Sequence, residues 1–136
     1  MINMISENHA IVNEGEFRNI KYTVCFLRGG YYTCYLDVSN TVLYSVDYNE
    51  IDLPVHWGLT YGDHKYPWEK EKDFDKYIIG WDYGHCDDAY DNEMGKLIFG
   101  DSYHENISVG CDYYNIHEIA KECIEAINAI YEMEGK

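Results

Sequence analysis

Two short segments of the chain concentrate side chains that could bind a metal ion. The first, residues 55–61, reads V-H-W-G-L-T-Y, and the second, residues 80–88, reads G-W-D-Y-G-H-C-D-D. Zinc prefers neutral imidazole, thiolate and carboxylate ligands, and four of them close a tetrahedral site, whereas magnesium and calcium prefer oxygen. We therefore predict a zinc ion bound by His56, Asp82, His85 and Asp88, with Cys86 as a reserve ligand.

The spacing of these residues leaves a second interpretation open. Asp82 and His85 would point to opposite faces of a regular strand, so they converge only if the strand ends near Asp82 and the chain turns at Gly84. His56 must then come from a neighbouring strand. The alternative is that His56 is a buried, hydrogen-bonded histidine and that the acidic residues after Gly84 form a solvated rim. If a metal is present, its expected role is structural.

The same two segments resemble the hallmark motifs of a family of small phage and prophage proteins, V-H-G-G-L-T-Y and G-F-D-x-A-H-x-G-D. His56, Asp82, His85 and Asp88 occupy the family's polar positions, whereas Trp57 replaces its first glycine and Tyr83 its cysteine. Thr41-Val42 stands where the family usually has His-Pro. The resemblance spans residues 31 to 130. It implies an anti-defence role, such as that of the type II anti-CRISPR inhibitors, which bind an RNA-guided nuclease.

The charge of the chain restricts the partners that it can bind. The chain has 25 Asp and Glu against 10 Lys and Arg, a net charge of -15, and its basic residues are scattered singly. Nucleic-acid binding depends on Lys and Arg that neutralise phosphates, so no direct nucleic-acid binding is expected. An acidic surface instead suits a basic protein, and a CRISPR nuclease holds its heteroduplex in a positively charged channel. We predict partner contacts from Asp87, Asp91 and Glu93.

Two further functions remain open: a metal-dependent hydrolase of a small phosphorylated signal, and a protein that sequesters a nucleotide. A catalytic zinc keeps an open position for water, whereas a structural zinc has four protein ligands. Nucleotide capture needs a deep pocket with several cations. No catalytic residues are predicted, and a non-enzymatic role is favoured. The odd count of five cysteines without a CxxC pair predicts no disulfide, and the absence of a signal peptide or apolar span predicts the cell interior, which the resemblance implies is the cytoplasm of a bacterial host.

The sequence predicts one α+β domain over residues 1–136, with an antiparallel-rich sheet covered by a C-terminal amphipathic helix. β-Branched and aromatic residues on either side of Arg28-Gly29-Gly30 indicate a β-hairpin. Asn115 and Glu118 form a capping-box pattern before apolar residues at helical spacing. The expected elements are strands at 20–27, 31–38, 55–61 and 76–82, edge strands at 96–99 and 107–110, a short N-terminal helix around residues 2–12, and a helix over 115–131.

Overall fold

A computed structural model describes residues 2–84, 88–105 and 114–135 of the chain. It confirms the α+β fold: six antiparallel strands form one sheet in the order β1-β2-β3-β4-β6-β5, and a long helix covers one face. The strands are β1 Asn3–Met4, β2 His9–Phe17, β3 Ile20–Leu27, β4 Tyr32–Asp37, β5 Tyr61–Asp63 and β6 Ile78–Asp82. The helices are α1 Asn92–Phe99 and α2 Ile116–Met133, with single 3-10 turns at Tyr48–Glu50 and Gly100–Ser102.

Two hairpins build the centre of the sheet. The predicted hairpin is confirmed, because β3 and β4 pair antiparallel on either side of the Arg28-Gly29-Gly30 turn. The hairpin of β2 and β3 turns through Arg18 and Asn19, whose φ angles are 52° and 65°. Two-residue turns with positive φ at both positions match the right-handed twist of paired strands, which explains the tight connection.

The C-terminal helix is also confirmed, together with its cap. The Asn115 side chain accepts a hydrogen bond from the Glu118 backbone N–H, at 2.9 Å, and the Glu118 carboxylate accepts one from the Asn115 N–H. These two bonds satisfy N–H groups that the first helical turn cannot pair internally. One face of α2 packs on the sheet through a fully buried stripe: Ile119, Cys123, Ala126, Ile127 and Ile130.

Three local predictions are wrong. The N-terminal segment forms β1 and β2 instead of a helix, because pairing with β3 prevails over a weak helical spacing. Residues 96–99 belong to α1, whose N-cap is Asp91, and not to an edge strand. Residues 55–58 form a turn, so β5 begins only at Tyr61. The edge strand expected at 107–110 lies outside the described residues.

Strand alternation in β6 separates neighbouring residues onto the two faces of the sheet. Ile79 and Trp81, with Tyr83 just beyond, join the core under α2, whereas Ile78 belongs to a second cluster on the opposite face. Successive side chains of a strand point to opposite faces, which places Asp82 on the same face as Ile78. Asp82 lines a cavity there beside Tyr35 and Tyr61.

Candidate functional site

His56 and Asp88 form a shielded pair on the α2 side of the sheet. His56 Nε2 lies 2.7 Å from Asp88 Oδ1, and the two side chains are 12% and 2% exposed. The carboxylate therefore accepts a hydrogen bond from the imidazole in a place with little water. A buried carboxylate without a partner is costly, so this contact satisfies Asp88 and fixes the orientation of the His56 ring.

Glu122 of α2 connects this pair to the sheet. Its Oε1 accepts hydrogen bonds from the His56 backbone N–H, at 2.9 Å, and from the Tyr83 hydroxyl, at 2.5 Å. The Tyr83 ring is stacked on the His56 ring, with centroids 4.7 Å apart and an interplanar angle of 11°. Burial raises the pKa of Tyr83, and the nearby Cys34 thiol and Glu122 carboxylate raise it further. The phenol therefore remains a hydrogen-bond donor at neutral pH.

The turn that carries His56 also presents Trp57 to solvent. The Gly58 N–H donates to the Val55 carbonyl at 2.9 Å, and the φ angles of Trp57 and Gly58 are 59° and 78°. A left-handed conformation costs a residue with a Cβ about 1–2 kcal/mol, so Trp57 occupies a position where glycine would be without strain. The Trp57 side chain is nevertheless 57% exposed.

The structure brings together only part of the predicted zinc site. His56 and Asp88 are in contact, but Asp82 lies on the opposite face, where it accepts hydrogen bonds from the Thr60 hydroxyl and the Gly84 N–H. His85 and Cys86 lie outside the described residues. Within residues 2–84, 88–105 and 114–135, no group of three or more potential ligands could hold a metal ion. The described residues therefore do not form the four-ligand site that the spacing predicts.

Of the three acidic residues predicted to contact a partner, the structure describes two, and these two differ in exposure. Asp91 is 9% exposed, caps α1 by accepting the Met94 N–H at 3.0 Å, and accepts the Tyr32 hydroxyl at 2.7 Å. Its carboxylate stabilises the fold, which corrects the expectation of a solvated contact residue. Glu93 is exposed, and Asp87 lies outside the described residues.

Sequence reasoning missed an acidic stripe along α2. Glu118, Glu125 and Glu132 are exposed and follow one another at seven-residue intervals, so they lie along one side of the helix. Lys121 is the single Lys or Arg residue of α2. Because Glu122 contacts the His56 turn, Trp57 belongs to a loop that packs directly against this helix. The heptad spacing of the glutamates was visible in the sequence.

The cysteines of the described segments agree with the prediction of free thiols. Cys25, Cys34 and Cys123 are buried and unpaired by any disulfide. Burial raises the pKa of Cys25 to about 12, with a further contribution from the Glu14 carboxylate. Burial also raises the pKa of Cys34, whose thiol contacts that of Cys123. The Cys25 and Cys34 thiols are therefore poor nucleophiles in the folded protein.

The fold and the site together define an acidic α+β protein with an antiparallel six-stranded sheet and a buried histidine–carboxylate pair. Comparison of the chain with protein families, with curated proteins and with solved structures finds no match. The resemblance to the phage family therefore remains a prediction from the two motifs. Among the described helices, none combines the length and apolar character needed to cross a membrane.

Proposed function

We propose that this protein binds a basic surface of another protein and thereby inhibits it. The family resemblance implies the RNA-guided nuclease of a type II CRISPR system as the target. The observation that carries the proposal is Trp57, a largely exposed tryptophan on a left-handed turn beside the acidic helix α2. Tryptophan is enriched among the few residues that dominate binding energy in protein interfaces. Backbone strain at an exposed aromatic residue is typical of a position retained for function.

The surface charge supports a cationic partner. In the described segments, fifteen Asp and Glu residues are exposed against six Lys and Arg residues, so most of the surface carries a negative field. Lys72 and Lys96 are moreover paired with Asp63 and Glu105. Such a field accelerates encounter with a basic surface and repels phosphates. A cationic side chain of the partner could also stack on the Trp57 ring.

The two alternative functions gain no support from the described residues. One surface cavity is lined by two cations, Lys21 and Lys76, but it is also lined by four carboxylates, those of Glu16, Asp37, Asp73 and Asp75. That arrangement repels a nucleotide phosphate. No specific observation favours hydrolysis of a phosphorylated signal or nucleotide capture.

A structural zinc ion is a separable second part of the proposal. Metal-bound histidines commonly donate their second ring N–H to a carboxylate. The His56–Asp88 contact fits this arrangement, with His56 as a ligand through Nδ1 and Asp88 as its orienting partner. Asp82 takes no part, and His85 and Cys86 are the candidates for two of the three remaining positions.

The direct test measures binding to a purified, guide-loaded type II nuclease by surface plasmon resonance and by inhibition of DNA cleavage. Trp57→Ala is expected to weaken binding by about tenfold or more, because such anchors carry a large share of interface energy. Leu97→Ala is the matched control, since Leu97 is 70% exposed and lies on α1. Equal affinity of wild type and Trp57→Ala, or no binding to the nuclease at all, would contradict the proposal.

A further inference from the structure

We infer that the free edge of β2 binds an extended basic segment of the partner as an additional strand of the sheet. This inference rests on the proposed function for the basic character of the partner, and it specifies the mode of binding. Addition of a strand to an exposed sheet edge is a recurrent form of peptide recognition, in which backbone hydrogen bonds give affinity and alternate side chains give specificity.

The outer edge of β2 presents backbone groups that pair with no other strand in the described part of the chain. The two-residue turn makes Phe17 and Ile20 a hydrogen-bonded pair, and such pairs alternate along an antiparallel ladder. Gly15 is therefore bonded to β3, whereas the N–H and C=O groups of Glu14 and Glu16 point away from it. These groups make no hydrogen bond to any described residue.

The neighbouring strand β1 covers only the beginning of this edge. Its register pairs Asn3 with Ile11 and Met4 with Ala10, and a β-bulge follows between Ile11 and Asn13. Beyond the bulge, the edge borders a groove of about 570 Å³ between β2 and the first turn of α2. A docked strand would continue the line of β1 along this groove.

The side chains around the edge define the chemistry of the docked segment. Glu14 and Glu16 are exposed on the face away from α2, opposite Thr23 and Lys21 of β3. Glu16 has the basic Lys21 as its cross-strand neighbour, whereas the neighbour of Glu14 is the neutral Thr23. Residues of a docked strand directly opposite these glutamates share their face, so lysine or arginine suits those positions.

The alternate positions of the docked strand face the helix. On that side the groove is lined by the apolar side chains of Val12 and Ile116, together with Asn13. The segment that fits is therefore extended, with basic and apolar residues in alternation. A second copy of this chain fits poorly, because edge-to-edge pairing would bring glutamates of two chains with net charge -15 together.

The experiment uses an acetylated and amidated hexapeptide of alternating lysine and valine as the probe, with the full-length protein. Hydrogen exchange followed by NMR is expected to slow by about tenfold or more at the Glu14 and Glu16 amides when peptide saturates the edge. A hexapeptide of alternating glutamate and valine is the matched negative control. The double variant Glu14→Lys/Glu16→Lys should lose peptide binding, whereas Glu71→Lys/Asp75→Lys, with the same charge change on an exposed loop, should retain most of it.

A backbone variant separates strand addition from simple charge attraction. Glu16→Pro removes an N–H that points outward and leaves the bonds to β3 in place, since proline is tolerated on edge strands with the N–H side facing solvent. Glu16→Pro should abolish the protection of the Glu14 amide by the lysine–valine peptide. Its circular dichroism spectrum should stay that of wild type. If Glu16→Pro unfolds, the inference is tested by the difference in peptide binding between Glu14→Lys/Glu16→Lys and Glu71→Lys/Asp75→Lys.

Each outcome bears on the inference separately from the proposed function. Unchanged exchange at Glu14 and Glu16, equal protection by the glutamate peptide, or protection that grows with protein concentration without peptide would overturn strand addition. If peptide binding fails while the wild type still binds the nuclease, the edge inference is wrong and the proposed function stands. If the peptide binds and the nuclease does not, the edge inference stands and the nuclease is the wrong partner.

Discussion

The two faces of the sheet shield polar groups in different ways. On the α2 face, the His56 imidazole bonds to the Asp88 carboxylate and stacks on the Tyr83 ring, and the His56 backbone N–H donates to the Glu122 carboxylate. On the opposite face, the polar Asp82 side chain lies beside a cavity of about 250 Å³ among tyrosines. Asp82 and Tyr83 are adjacent in the sequence, yet strand alternation places them in these two different environments.

The loop between β5 and β6 covers the face of the sheet opposite α2. It packs there through aromatic rings, whereas the other face is covered by a helix. The Tyr66 and Trp68 rings are stacked with centroids 4.8 Å apart, and Trp68 meets Tyr35 edge to face at 5.5 Å. Glu69 accepts the Tyr66 backbone N–H at 2.8 Å and pairs with Lys76. The charged segment that the sequence indicates as a surface loop therefore buries Tyr66 and part of Trp68.

The largest expected difference between the faces concerns their aspartates. Asp88→Ala should lower the free energy of unfolding by about 3 kcal/mol, because it removes the partner of a shielded histidine and leaves a cavity. Asp82→Ala, which removes two partly exposed hydrogen bonds, should cost about 1 kcal/mol. Urea denaturation of both variants measures the difference. Equal losses would show that the two aspartates have equivalent environments.

Measurement of the zinc content tests whether His56, on the α2 face, binds a metal ion. Elemental analysis of the purified protein should give one zinc per chain, and His56→Ala should remove it while Asp82→Ala retains it. A chelator should then lower the melting temperature of wild type, since a ligand at a hundred times its Kd stabilises the folded state by about 2.7 kcal/mol. Wild type free of zinc, with melting unaffected by chelator, would identify His56 and Asp88 as a metal-free structural pair.

Trp57→Gly should separate stability from binding. Glycine removes the left-handed strain of the turn but adds freedom to the unfolded chain, so a net stabilisation of about 0.5 kcal/mol is expected. Nuclease binding should weaken as it does for Trp57→Ala. Thermal denaturation and surface plasmon resonance on the same preparations measure both effects. Loss of stability in Trp57→Gly would mean that the Trp57 ring is needed for packing.

The smallest effect is expected at the loop that covers the opposite face. Burial alone would raise the pKa of Glu69, but the Tyr66 N–H and the Lys76 ammonium outweigh it and hold the pKa below its ordinary value. A lowered carboxylate pKa contributes stability above the ordinary glutamate pKa, and this contribution is lost as the pH falls through the folded-state pKa. Trp68 fluorescence should therefore report loosening in acid, and Glu69→Gln should flatten that dependence. An identical acid transition in both proteins would count against this role of Glu69.

The sequence alone determined the elements whose signals are local. The helix α2 follows from the Asn115 and Glu118 cap and from apolar residues at helical spacing, because both act within a few residues of the chain. The hairpin of β3 and β4 follows in the same way from its glycine turn. The acidity of the chain also needs no coordinates, since it follows from composition alone.

Only the tertiary structure decided which polar residues meet. His56 and Asp88 are 32 positions apart, and their contact depends on how the loops after β4 and β6 pack against α2. The separation of Asp82 from this pair depends on the register and length of β6, since β6 still includes Asp82. The strand β2 was missed because its hairpin turn, Arg18-Asn19, contains no glycine and its own residues alternate only weakly, so its extended conformation becomes evident only from the pairing with β3.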